Sequence, residues 1–339
     1  MTRHCWNFTR LVVGAALYAF ALLSSAVAAD SHFVTTAGPI SREAAGLILP
    51  HEHIFTDLRG PDRPGYGEAD PDDVVRVMKP LLLEARKAGV ETLIECSTIG
   101  VGRNVPIIAR LAKETGLNIV VPTGVYGRAN FAPKRYAEMS EDALARWMMT
   151  EIVAGIENTG VRAGFIKTAA SEDELRPLEL KFLRASARAS LQTGVAIASH
   201  TTSGKVARQQ LTALEILTVP ADRFVWVHAQ AEPGLEFHKE FAKRGAYIEL
   251  DSVGSSEKED EKILKIIQEL IAADFEDRIL ISQDAGWYNP GQPNGGRQRG
   301  YSALTTQFIP KLKKAGLTEA QIRKLTRENP FRAFVRALP

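Results

Sequence analysis

Cysteine is almost absent. The 339 residues include only Cys5 and Cys96, and Cys5 precedes the apolar run 11–23, so a chain that lost this run would have a single thiol and no intramolecular disulfide. An excess of one charge sign is missing too: 42 Lys and Arg face 40 Asp and Glu, a formal net charge of +2. A nucleic-acid or anionic-membrane partner would require a basic surplus, so no nucleic acid is expected as a partner. Long hydrophobic runs are lacking apart from residues 11–23, which fall short of the ~20 residues of a spanning helix. Arg3, His4 and Arg10 precede that run, and Ser24-Ser25-Ala26-Val27-Ala28-Ala29 follows it. Together they read as a secretory signal peptide over residues 1–29, cleaved after Ala28 or Ala29. One domain over 30–339 is then expected, exported to the periplasm or secreted, with no stable membrane insertion.

What the chain does have is apolar content and alternation. Hydrophobic residues make up 45% of it, enough for one barrel-sized domain or two ordinary ones. Strand-like runs cover residues 47–55, 92–98, 118–126, 163–169, 195–202, 223–229, 246–253 and 278–286. Segments such as 74–88, 141–157, 175–192, 259–273 and 302–315 carry helical spacing of apolar residues. Gly89, Gly116, Gly160, Gly194 and Gly245 stand where helix C-caps are expected. Strand and helix alternate with no linker dividing the set, which predicts an α/β fold, a single closed (β/α)8 TIM barrel. Residues 59–70 and 287–300 are longer than such connections need, and loops of that length at the C-terminal face shape pockets.

Of the seven histidines, His51, His53, His200 and His228 fall at or near the C-terminal ends of these runs, as does Asp284. In a barrel those ends converge on one face. His51 and His53 are two apart, so strand periodicity points both the same way, into the mouth. Imidazoles clustered with a carboxylate form a hydrolytic metal constellation. Lys167, in Gly164-Phe165-Ile166-Lys167-Thr168-Ala169, adds an ammonium that cannot itself bind a cation. It is either a base of depressed pKa, a carbamate able to bridge two cations, or a partner for an acid across the barrel. Glu52 faces away from the site by periodicity and is read as structural. Cys96 is read as a small buried hydrophobe.

The motifs Leu49-Pro50-His51-Glu52-His53, Gly164-Phe165-Ile166-Lys167, Ala198-Ser199-His200-Thr201, Val227-His228 and Ile281-Ser282-Gln283-Asp284 together resemble the phosphotriesterase family of the amidohydrolase superfamily. The resemblance runs from about Gly38 to Val335. It implies a (β/α)8 barrel holding two divalent metal ions, usually zinc, bridged by an N-carboxylated Lys167 and a hydroxide. His51, His53 and Asp284 would hold the buried metal, and His200 and His228 the more exposed one. Asp284 would take a proton as the bridging hydroxide attacks an ester-type bond.

The chain departs from the family pattern at positions that set the substrate. Members that cleave phosphotriesters carry an acidic run after the strand-six histidine and a histidine after the strand-seven aspartate; here the segments read His228-Ala229-Gln230-Ala231-Glu232 and Leu250-Asp251-Ser252-Val253. Lactonase-like members have an arginine where Ser252 stands, and a tyrosine that Tyr126 can supply. Arg297 or Arg299, with Arg128, is expected to bind an anionic substrate group, and Trp287 and Tyr288 either line an apolar pocket or anchor their loop. The expected activity is hydrolysis of a small-molecule carboxylic ester or lactone. Phosphotriester (organophosphate) hydrolysis as the main activity, a mononuclear deaminase or amidase, and a non-catalytic metal-binding barrel stand as alternatives, and a homodimer is left open.

Overall fold

The computed structural model describes residues 31–128 and 130–337; the expected signal peptide lies outside them. Parallel strands form the centre: β1 (Ile48–Phe55), β2 (Thr92–Glu95), β3 (Asn118–Val120, continued by Pro122–Thr123), β4 (Phe165–Ala169), β5 (Ile197–His200), β6 (Phe224–Val227), β7 (Tyr247–Leu250) and β8 (Ile279–Ile281, continued by Gly286–Tyr288). Each pairs in parallel with the next, and the last returns to the first: Ile48 opposes Thr92, Thr92 opposes Asn118, Pro122 opposes Phe165, Ile166 opposes Ile197, Ile197 opposes Phe224, Val225 opposes Tyr247, Ile248 opposes Ile279, and Gly286 opposes His53. The order of pairing therefore closes on itself, as in a barrel, and no strand of the ring has a free edge.

Two apolar layers follow from the period-two alternation of side chains. Phe165 on β4, Ala198 on β5, Val225 and Val227 on β6, and Tyr247 on β7 point inward and pack with Phe33, Ile48, Ile94, Phe331 and Phe334. Ile166, Ile197, Trp226 and Ile248 point outward against the helices. An antiparallel hairpin, Ser31–Thr35 with Gly38–Ile40, closes the lower end through Phe33, and Thr36 donates to the Ile119 carbonyl at 2.8 Å.

Helices α1 (Pro71–Lys87), α2 (Val105–Thr115), α3 (Glu141–Val153), α4 (Pro177–Thr193), α5 (Gly204–Ile216), α6 (Glu236–Arg244) and α7 (Glu257–Ala272) surround the strands. Their limits are written locally. Asp70 caps α1 from its side chain, Pro71 occupies the first turn, and Arg86 and Lys87 close the last. Gly116, Gly194 and Gly245 adopt left-handed C-caps as expected. Gly160 does not: α3 ends on Ala154, and Gly160 lies in a later turn at φ 75°. The expected helix over 302–315 opens as a π-turn, Leu304–Phe308, before Ile309–Lys314. Pro310 has no N–H to donate to the preceding turn, and the wider turn accommodates its ring. Among the described residues no helix is long and apolar enough to cross a membrane.

Closure between β8 and β1 runs through one buried carboxylate. The β1–β2 register shifts between Leu49 and Glu52, and the Glu52 side chain takes up backbone donors that β8 leaves unladdered. Its Oε1 accepts from Ser282 Oγ at 2.8 Å and Gln283 N at 3.1 Å, and its Oε2 from Ala285 N at 2.7 Å. Glu95 does the same on the other side of β1, accepting from the Ile54 and Ser97 backbone N–H groups. A buried donor left without a partner costs about 1–3 kcal/mol. Glu52→Ala is therefore expected to lower unfolding stability by about 3 kcal/mol, measured by urea denaturation; a loss of under about 1 kcal/mol would show that closure does not depend on it.

Candidate metal centre

The ring places the C-terminal ends of its strands on one face, and the expected site residues meet there. His51 and His53 come from β1, Lys167 from β4 and His200 from β5; His228 directly follows β6, and Asp284 lies within the break in β8. The rings of His51 and His53 are 5.3 Å apart, those of His51 and His228 5.0 Å, and those of His200 and His228 4.4 Å. His228 and Asp284 turn into the site by adopting left-handed backbone, at φ 64° and φ 50°. Such conformations cost on the order of 1 kcal/mol in a non-glycine residue and persist only where their surroundings hold them. At His228 the holding group is Asp251, which accepts the backbone N–H at 3.0 Å and the ring Nδ1–H at 2.8 Å.

Each of three imidazoles has a polar partner on Nδ1. His51 Nδ1 lies 2.6 Å from Glu249 Oε1, His53 Nδ1 lies 2.8 Å from Ser97 Oγ, and His228 Nδ1 contacts Asp251. A proton held on Nδ1 leaves the Nε2 lone pair free, the tautomer a metal ligand needs. His51 Nε2 and Asp284 Oδ1 are both buried without a hydrogen-bond partner. They face each other at 3.7 Å, with His53 Nε2 3.3 Å from the same carboxylate oxygen. His51, His53 and Asp284 bring their ligand atoms within 4.8 Å of one another. An imidazole pair and a carboxylate converging on orphaned lone pairs is a donor set fitted to a divalent cation.

The electrostatics agree. Burial, then the surrounding cationic groups, holds His51, His53 and His200 well below the usual imidazole range, which favours the neutral ring a metal ligand requires. Burial also lowers His228, but Asp251 outweighs it and the net shift is upward. Burial pushes Asp284 up to about 6, raised further by Asp251 and lowered by His228 and Lys167. The Lys167 amine, only 2% exposed, is lowered by burial against the raising influence of Cys96, Glu249 and Asp284.

The site opens into a cavity of about 370 Å³, walled by Leu58, Val101, Tyr126, Arg128, Phe131 and Trp287. Tyr126 packs edge-on against His200 at 5.2 Å, and Trp287 lies 4.4 Å from His53 while its indole N–H donates to the Asp284 carbonyl. Arg128 Nη1 is 3.1 Å from His200 Nε2. Three expected substrate residues are not in this cavity. Tyr288 stacks on Phe55 and donates its hydroxyl to Asp73, so it anchors the loop. Arg299 donates to the Val253 and Gln283 carbonyls and ties that loop to β7 and β8. Arg297 is exposed and does not line the cavity. The reason is shared: Gly286 pairs with Arg299 across the loop, which folds residues 288–299 back over α1 rather than across the mouth.

Glu249 and the supporting role of Asp251 were not among the expected site residues. The pattern Tyr247-Ile248-Glu249-Leu250-Asp251 carried the signal, since acids two apart on an inward-facing strand share a face. Leu58 and Phe131 carried none, because loop side chains have no period. Asp251→Asn is expected to keep the fold but weaken divalent-metal binding about 10- to 100-fold, measured by competition with a chromogenic chelator. Unchanged affinity would rule out Asp251 as the group orienting His228.

Residues 31–334 match the family model described as the phosphotriesterase family. The chain is 32% identical to the phosphotriesterase homology protein of Escherichia coli (strain K12), over 87% of this chain and 100% of that protein. It is 28% identical to the N-acetyltaurine hydrolase of Danio rerio, over 88% and 96% of the two chains. Among solved structures, a triple mutant of organophosphorus hydrolase from Deinococcus radiodurans superposes with a TM-score of 0.81 at 28% identity, covering 89% of this chain and 97% of that one. A ring of parallel strands presenting histidines and an aspartate at one rim, and a family match spanning nearly the whole described chain, lead to one conclusion: this chain belongs to the phosphotriesterase family.

Proposed function

We propose that this protein is a binuclear metal-dependent hydrolase of carboxylic esters, lactones foremost, with an N-carboxylated Lys167 joining two cations, zinc being the metal that best suits the donor set. The observation that carries the reading is the pair of buried, unpartnered ligand atoms, His51 Nε2 and Asp284 Oδ1, pointing at one another beneath an open cavity. His51, His53 and Asp284 would hold one cation and His200 and His228 the other, with Lys167 between them. Bound there, the pair would make water nucleophilic near neutral pH and polarise the acyl oxygen.

The protein's own groups supply the rest. Asp284, whose Oδ1 faces both His51 and His53, is placed to accept the proton released as water attacks. The Lys167 amine is lowered by burial, and a neutral amine is the form that adds to carbon dioxide, losing a proton to give the carbamate. Trp287, Val101 and Leu58 offer an apolar wall to an acyl chain or lactone ring. The proton relay of phosphotriester-cleaving members cannot be built from Ala229, Gln230 and Ser252, which favours the carboxylic centre over the phosphorus one. The proposal extends to export, to the periplasm or outside the cell, on the signal-like residues 1–29.

The test is metal content and lysine chemistry alongside turnover. Purified protein is expected to hold about two equivalents of divalent metal per chain. Labelled bicarbonate is expected to give a carbamate carbon signal that Lys167→Ala abolishes, and lactones are expected to be turned over faster than phosphotriesters at equal concentration. About one equivalent of metal, or an active enzyme with an unmodified Lys167, would sink the binuclear mechanism.

A further inference from the structure

We infer that Arg128 forms an anion subsite, so that the substrate of this centre is an acyl compound carrying a carboxylate or sulfonate a few atoms from the scissile bond. The inference rests on the proposed hydrolase reading and narrows its substrate class.

Among the residues lining the metal-centre cavity, Arg128 alone is a guanidinium. Its present partners leave it underused. Nη1 meets the neutral His200 ring at 3.1 Å, the guanidinium also hydrogen-bonds the Tyr126 side chain, and Nη2 meets Glu172 Oε1 at 3.3 Å, where Glu172 is 64% exposed. An ion pair of that length with a solvated carboxylate contributes about 0–1 kcal/mol. Arg103 shows what a structural arginine in this protein looks like: fully buried, it takes Glu151 through both nitrogens at 2.6 and 2.8 Å. Arg128 lacks such a bidentate partner although the fork geometry of guanidinium favours one.

With Nη1 against His200 and Nη2 against Glu172, the guanidinium spans from the histidine rim to the outer wall. Arg128 and Phe131 are shared walls between the metal-centre cavity and an adjoining one of about 340 Å³ that also includes Ser171, Glu172, Asp173 and Arg176. An acyl group seated over the histidines therefore directs its remaining atoms past Phe131 toward the guanidinium. Arg176 faces Asp173 at 3.5 Å, so beyond Arg128 the second cavity sets two acids, Glu172 and Asp173, against one further cation. That balance suits one compact anionic group held at Arg128 and sets Glu172 as the side chain such a group displaces.

Matched probes test this. Mono-4-nitrophenyl glutarate against 4-nitrophenyl valerate places the charge on the acyl side; N-acetyltaurine against N-propylacetamide places it on the leaving side. The wild-type holoenzyme is expected to prefer the anionic member of at least one pair through KM. Arg128→Ala is expected to reduce that anionic-to-neutral ratio roughly ten- to a hundred-fold, Arg128→Lys to reduce it less, and Glu172→Gln to raise it. Calorimetric binding of glutarate and ethanesulfonate to wild type and Arg128→Ala reads the subsite without turnover, so it stands apart from the hydrolase reading, which fails if the neutral ester is not cleaved by the metal-loaded enzyme. Equal anion affinity in wild type and Arg128→Ala, or a ratio that Arg128→Ala leaves within about two-fold, overturns the subsite.

Discussion

Closure of the strand ring between β8 and β1 is the constraint on which everything else depends. Only in a closed parallel ring do the C-terminal ends of all strands meet at one rim, and only there do residues as distant in sequence as His51 and Asp284 come to face each other at 3.7 Å. The junction is irregular. β8 is interrupted between Ile281 and Gly286, and the interruption is where Asp284 turns inward. Backbone groups freed by that break are gathered by Glu52, so the residue between the two metal-facing histidines holds the seam that positions them.

Gathering four imidazoles, an amine and several carboxylates into a buried rim is electrostatically expensive unless groups are neutral or hydrogen-bonded, and burial keeps His51, His53 and His200 neutral. The acids Glu249 and Asp251 stand behind His51 and His228 and hold the Nδ1 side of each ring. That arrangement fixes the ring orientations before any ligand arrives, which is how supporting residues raise metal affinity without touching metal. Among the buried side-chain atoms left unpartnered, His51 Nε2 and Asp284 Oδ1 are the pair that point at one another across the site. At the centre itself, left-handed backbone at His228 and Asp284 coincides with two unsatisfied ligand atoms.

The cavity above the centre divides its tasks. Leu58, Val101 and Trp287 provide apolar surface, Tyr126 packs on His200, and Arg128 brings a fixed positive charge to the wall. The long loop after β8 contributes Trp287 alone, because Tyr288 and Arg299 are spent on holding the loop to α1, β7 and β8. The cavity wall is therefore built by the loops after β1, β2 and β3 more than by residues 288–300.

The sequence by itself determined the alternation of strand and helix, the inward face of each strand, and hence the set His51, His53, Lys167, His200, His228 and Asp284. Period-two patterning and strand-end position are local properties, written into consecutive residues and readable without knowing what lies across the barrel. The role of Glu52 was half legible: periodicity turned it away from the site, but its donors lie more than 200 residues later in the chain. Tertiary structure alone decided that Gly160 caps no helix, that Arg299 and Tyr288 serve the loop while Arg128 faces the cavity, and that Glu249 backs His51. Those outcomes depend on which side chains meet across the ring and on the course of irregular loops, and neither leaves a period in the sequence.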